Sequence, residues 1–95
     1  MAAYVIGNIE VTDLEGYQSY SRRVAPIVAE YGGRFLVRGS PPEVLDGDWQ
    51  PNRVVVLEFP DAEAVRRWHG SPEYQAIIGI RHQNSKGGIA LFEGA

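Results

Sequence analysis

Arg53-Val54-Val55-Val56-Leu57-Glu58-Phe59, closed by Pro60-Asp61, is a nearly unbroken run of β-branched and aromatic residues. A run of this kind predicts a central strand apolar on both faces, because branched side chains pack well on a pleated surface. Glu58 is its exception. Working forward, Asp61 can cap a short helix whose inner stripe is Ala64, Val65 and Trp68, and Gly70 stops it. Ser71 then caps a new turn or two with Pro72 at the first helical position, which places Tyr74, Ile77, Ile78 and Arg81 on one face. Gly87-Gly88 ends that region, and Ile89 to Phe92 reads as a last short strand.

Working backward, Gly39 to Asn52 holds three prolines, two glycines and several acids, which marks a long loop whose Trp49 needs a place to bury. Arg34 to Arg38 alternates as a strand, with Phe35 and Val37 on one face and Arg34, Leu36 and Arg38 on the other. Before it, Leu14, Tyr17, Tyr20, Val24, Ile27, Val28 and Tyr31 recur at helical spacing and end at Gly32-Gly33. Thr12-Asp13-Leu14-Glu15 reads as the capping box that opens this helix, and Pro26 predicts a kink or a carbonyl of Arg22 turned to solvent. Tyr4 to Val11 has the period of a first strand.

The order strand, helix, strand, strand, helix, strand predicts an α+β fold, the ferredoxin-like βαββαβ plait, as one domain over residues 1–95. Both helices then cover one face of a four-stranded antiparallel sheet, and the other face is left apolar. A second copy can cover it. We therefore expect a homodimer joined sheet to sheet into an α/β barrel.

Composition supports a partner subunit, since a chain of 95 residues hides only roughly two thirds of its unfolded surface. It has no cysteine, so disulfides, thiolate metal sites and a cysteine nucleophile are excluded, and a reducing cytoplasm is the expected location. No apolar run approaches the roughly 20 residues of a membrane span, and Met1-Ala2-Ala3-Tyr4 has neither a basic n-region nor a long h-region. Nine basic against 12 acidic residues give a net charge of −3, and strands one and three offer aliphatics where a nucleic-acid surface wants aromatics with basic neighbours. No nucleic-acid partner, membrane partner or metal is expected, because the only histidines, His69 and His82, lack closely spaced acidic ligands.

The candidate chemistry gathers around the second helical region. Tyr74 and Arg81, two helical turns apart, can hold an anionic or carbonyl group between them; the plainer reading has Tyr74 packing and Arg81 paired with Glu58 or Glu73. Glu58, if buried beside apolar groups, would have a raised pKa and could act as a general base, or it forms an ion pair with Arg38 or Arg81. His69 has an unperturbed pKa near neutrality that suits proton transfer, and at a helix end it equally serves as a solvated residue. Trp49 and Trp68 can wall a pocket for a flat ligand or pack in a core or interface. Ser71 reads as a cap, not a nucleophile.

Tyr17, Tyr20, Gly32-Gly33, Arg34-Phe35-Leu36-Val37-Arg38-Gly39, Gly47-Asp48-Trp49 and the strand at 53–59, with Ala64, Trp68, Ser71-Pro72-Glu73-Tyr74-Gln75 and Arg81, together resemble the DUF1330 family of the dimeric α/β barrel superfamily. The resemblance covers nearly the whole chain. In that family an aromatic, usually tyrosine, follows the helix tryptophan, where this chain has His69. The resemblance implies a small-molecule pocket in each subunit, lined by Arg38, Glu58, Trp68, His69, Tyr74 and Arg81, supporting cofactor-independent proton-transfer or oxidative chemistry. Its rival is a non-catalytic ligand-binding or structural dimer in which Glu58 and Arg81 form an ion pair.

Overall fold

Residues 53–59 form an inner strand of a four-stranded sheet in the computed structural model, which describes all 95 residues. The elements run β1 (Ala3–Val11), α1 (Leu14–Glu30), β2 (Arg34–Arg38), β3 (Arg53–Phe59), α2 (Ala62–His69), α3 (Pro72–Asn84) and β4 (Ser85–Glu93). Their order across the sheet is β2-β3-β1-β4, and every neighbouring pair is antiparallel. This is the ferredoxin-like plait. Its second crossover is split into α2 and α3 at Gly70-Ser71, where the Ser71 hydroxyl accepts from the Tyr74 N–H at 3.1 Å and donates to the Trp68 carbonyl at 2.7 Å. No helix is long and apolar enough to cross a membrane.

Alternation along the strands sorts the side chains into two populations. Val5, Ile9, Leu57 and Phe59 are buried beneath the helices, while Tyr4, Ile6, Val54, Val56 and Glu58 stand on the opposite face. The helical face closes over Trp68, whose ring lies 5.4 Å from Phe59 and 4.4 Å from Tyr74 between centroids. The opposite face stays open in the single chain. Ile6 there is 40% exposed and Phe92 51%, so the sheet has two apolar faces of which the chain itself covers one.

Several local expectations change. Asp13, not Thr12, caps α1 by accepting from the Gly16 N–H at 3.2 Å, and the Thr12 and Asp13 N–H groups both donate to the Asn84 carbonyl at the far end of α3. Leu14 consequently sits in the first exposed turn. The helix runs unbroken through Pro26; Pro26 and Arg22 are both exposed, which leaves the carbonyl without a proline donor on the solvent side. At its end Gly32 has φ +86°, Gly33 N–H reaches the Val28 carbonyl at 2.9 Å, and a Cβ on Gly33 would lie 2.6 Å from the Phe59 ring. Both glycines are needed there.

The third helix is longer than expected, and Gly87-Gly88 lie inside β4, where they pair with Ile9 and Asn8. The ladder to β1 begins at Ser85, directly after α3, so no separate turn is needed. Trp49 does not bury; it is 63% exposed in the loop before β3. In β2 the register shifts between Phe35, opposite Leu57, and Val37, opposite Val56. Leu36 is the extra residue of a β-bulge, so Phe35 and Val37 fall on opposite faces and Arg38 joins Phe35 beneath the helices.

Candidate functional site

The site is built where α1, α2 and α3 converge over the middle of the sheet. A cavity of about 30 Å³ lies there, walled by Tyr17 and Tyr20 from α1, Trp68 from α2, Arg81 from α3, and Arg38 and Arg53 from the strands. It has room for about two waters. Past Trp68, Val5 and Ile89, which line both spaces, it adjoins an open groove of about 340 Å³ between the end of α2 and edge strand β4, bordered by Val65, His69 and Leu91. That volume lies in the range of small-ligand sites.

Behind the cavity wall the Tyr20 and Tyr74 hydroxyls share a buried hydrogen bond of 2.8 Å. Burial pushes the Tyr20 pKa far up, the nearby Tyr74 pushes the same way, and Arg81 opposes them, so the Tyr20 hydroxyl keeps its proton at physiological pH. Arg81 itself is 4% exposed. One of its terminal nitrogens lies 3.3 Å from the His82 ring, and its Nε has no partner in the chain. Arg53 Nε and Trp68 Nε1 share that condition, while Arg38 lies over the Phe35 ring at 4.4 Å and donates to the Ser21 carbonyl at 2.6 Å. The ion pairs of the chain are Arg34–Glu58 and Arg67–Glu63, and neither includes an arginine of the cavity.

Of the residues singled out by sequence, Arg38, Trp68 and Arg81 line the cavity directly. Tyr74 supports it from behind, against Trp68 and Tyr20, and exposed His69 borders the groove with its ring 5.5 Å from Tyr74. Glu58 is elsewhere. It pairs with neither Arg81 nor Arg38, because alternation in β3 turns it to the open face, opposite Arg34 in the neighbouring strand. There it accepts from Arg34 at 2.9 and 2.7 Å and from the Tyr4 hydroxyl at 3.0 Å.

These bonds, the Arg34 guanidinium first and the Tyr4 hydroxyl second, hold the Glu58 carboxyl below the usual carboxylate range, the reverse of a buried base. A carboxyl lowered by folding stabilises the fold above its unfolded pKa and loses that contribution as pH falls through the folded value. Thermal melts should therefore find Glu58→Gln less stable than wild type at neutral pH, with the gap closing as pH drops below the unfolded value near 4.5. A gap independent of pH would contradict the cluster.

Arg53 and Tyr20 are site residues that sequence reasoning passed over. Arg53 stands in phase with Val55, Leu57 and Phe59, so strict alternation from the core residues already points it beneath the helices. No group of three His, Cys, Asp or Glu side chains comes together anywhere in the chain.

A family model described as a domain of unknown function, DUF1330, matches residues 2–95. No curated protein matches the chain. Among solved structures it resembles RPA0582, a protein of unknown function from Rhodopseudomonas palustris, with a TM-score of 0.78 and 18% identity over 99% of this chain and 82% of that one. It also resembles SnoaB, a cofactor-independent oxygenase from Streptomyces nogalater, with a TM-score of 0.73 and 18% identity over 99% of this chain and 93% of that one. A third is a dimeric ferredoxin-like protein of unknown function from Bacteroides fragilis, with a TM-score of 0.57 and 12% identity over 98% and 95% of the two chains. At these identities the likenesses show a shared fold.

Proposed function

Since the chain belongs to the DUF1330 family, whose function is unknown, we propose from its own geometry that it is a homodimer binding a small organic molecule in each subunit. The observation that carries the reading is the groove of about 340 Å³, apolar along Val65, Ile89 and Leu91 and lined on its inner side by Trp68, Val5 and Ile89, which it shares with the small cavity. Arg38, Trp68 and Arg81 are the ligand-facing residues carried over from the sequence, with Tyr74 holding Trp68 and Tyr20 in place. The open sheet face supports the dimer, as does the description of the Bacteroides fragilis relative in fold as dimeric.

Cofactor-independent proton-transfer or oxidative chemistry is the catalytic form of this proposal. His69 on the groove border supports it with an imidazole that a ligand could reach, and so does the fold shared with the oxygenase SnoaB. The non-catalytic form is favoured by the cavity lining, which has neither a carboxylate nor an imidazole. Either form requires the groove to hold a ligand.

Ile89→Trp, which fills the groove, provides the test in a thermal-shift screen of small aromatic and aliphatic compounds. A compound at 100 times its Kd adds about 2.7 kcal/mol, which raises Tm by several degrees in a domain this small. We expect wild type to respond to a subset of compounds and Ile89→Trp to lose that response while remaining folded. Identical responses from the two proteins, or none from wild type, would defeat the proposal.

A further inference from the structure

We infer that the ligand is a small organic carboxylate, its acid group in the arginine cavity and its apolar body in the groove beside Trp68. The inference rests on the small-molecule reading above and goes beyond it to the ligand's charge. Three arginines line one cavity, buried Arg81, half-buried Arg53 and, at its exposed rim, Arg38, whose guanidinium lies over Phe35; the other walls are Val5, Leu57, Tyr20 and similar side chains, and no carboxylate of the chain pairs with any of the three. The chain carries a net charge of −3, so this concentration of positive charge is local and not a general property of its surface.

Arg81 makes the point most sharply. Arg81 as a residue is 4% exposed, so its charged end has lost most of its hydration, and burial of a charge is tolerated where a counter-charge and hydrogen-bond acceptors replace the water. Within the chain its terminal nitrogen meets a histidine ring and its Nε meets nothing. Around the same cavity Arg53 Nε and Trp68 Nε1 are also buried donors without acceptors. A lining with donors to spare and no anion of its own is complementary to a ligand group that only accepts. A carboxylate is such a group, and its two oxygens match the fork of a guanidinium.

Size then divides the ligand between the two spaces. The cavity of about 30 Å³ admits a group as small as a carboxylate and excludes a ring, while the groove of about 340 Å³ has the capacity for the rest. Of the three residues that line both spaces, Trp68 and Val5 are buried and Ile89 is half-buried, so it is past Ile89 that the two parts of the ligand join.

The experiment compares 2-naphthoate with 2-naphthamide, which has nearly the same shape and no charge, by following the indole N–H resonances of the two tryptophans. Trp68 reports the cavity, and exposed Trp49 reports non-specific association. We expect 2-naphthoate to shift the Trp68 signal saturably and to bind at least tenfold more tightly than the amide. In Arg81→Met this preference should vanish without a fall in Tm, since the guanidinium has no carboxylate partner to lose. Arg81→Lys, which keeps the charge and removes the fork, should bind 2-naphthoate at least threefold more weakly, and it stands in if the methionine variant fails to fold. Equal affinity for the two probes would overturn the carboxylate inference and leave the pocket standing. No Trp68 shift with either probe at millimolar concentration would overturn both. A folded Arg81→Met or Arg81→Lys with undiminished 2-naphthoate binding would show that Arg81 does not hold the acid group.

Discussion

Trp68→Ala should remove about 3–5 kcal/mol of folding free energy, the range found when a large buried aromatic is truncated. Trp68 is 1% exposed and lies between Phe59 and Tyr74, so its removal leaves a void bounded by the sheet on one side and the start of α3 on the other. The Ser71 hydroxyl also bonds the Trp68 carbonyl, which ties the end of α2 to the cap of α3, and collapse into the void would pull on that joint. Small domains have only about 5–15 kcal/mol in total, so the variant should unfold at a much lower urea concentration with an unchanged slope. Trp49→Ala is the control. That ring is 63% exposed, and its loss should move stability by no more than about 0.5 kcal/mol. A loss below about 1 kcal/mol for Trp68→Ala would mean that the aromatic cluster does not carry the core.

Ile6→Asp should convert the proposed dimer to a monomer while leaving each subunit folded. Ile6 lies midway along inner strand β1, opposite Val56 in β3 and Ala90 in β4, at the centre of the open sheet face. In the single chain its side chain is 40% exposed, so an aspartate there is hydrated and the fold tolerates it. In a face-to-face pair the carboxylate would be buried against aliphatic side chains in both copies. Desolvating an ion costs several kcal/mol and the two-fold doubles the penalty, so dissociation should be favoured by at least about a thousandfold, or about 4 kcal/mol. Light scattering with size-exclusion chromatography at low micromolar concentration reads the mass, and circular dichroism reads the fold. A wild-type protein that is monomeric under these conditions removes the dimer, and a variant that stays dimeric places the contact on another surface.

The fold was largely legible because its determinants are local. The β-branched run at 53–59, the Asp61 cap and the Ser71-Pro72 opening each specify an element through interactions within a few residues, and the structure contains all of them. The site was legible in part. Arg81 and Trp68 were found because both fall on the apolar stripe of a helix, which has one inward side. Glu58 was misplaced because a carboxylate in an apolar run suggests burial, whereas its partner Arg34 is supplied by register between strands that sequence spacing does not reveal. Arg53 was overlooked at the start of a strand where alternation alone would have sufficed, and the faces of Phe35, Val37 and Arg38 were missorted because a bulge leaves no distinctive residue behind it.

That bulge has a further consequence. The side to which Arg38 belongs is set by the omission of Leu36 from the ladder, so the pairing of β2, and not the identity of any side chain, assigns an arginine to the cavity. Removing Leu36 would leave Arg38 opposite Val55 and on the same side, whereas regular pairing with Leu36 retained would set Arg38 opposite Val54 and hand its charge to the other side of the sheet. In comparing members of this family, a one-residue gap at this point therefore leaves the cavity its charge, whereas a member of equal length that pairs without the bulge loses it, a difference that an alignment scored by residue similarity would not register.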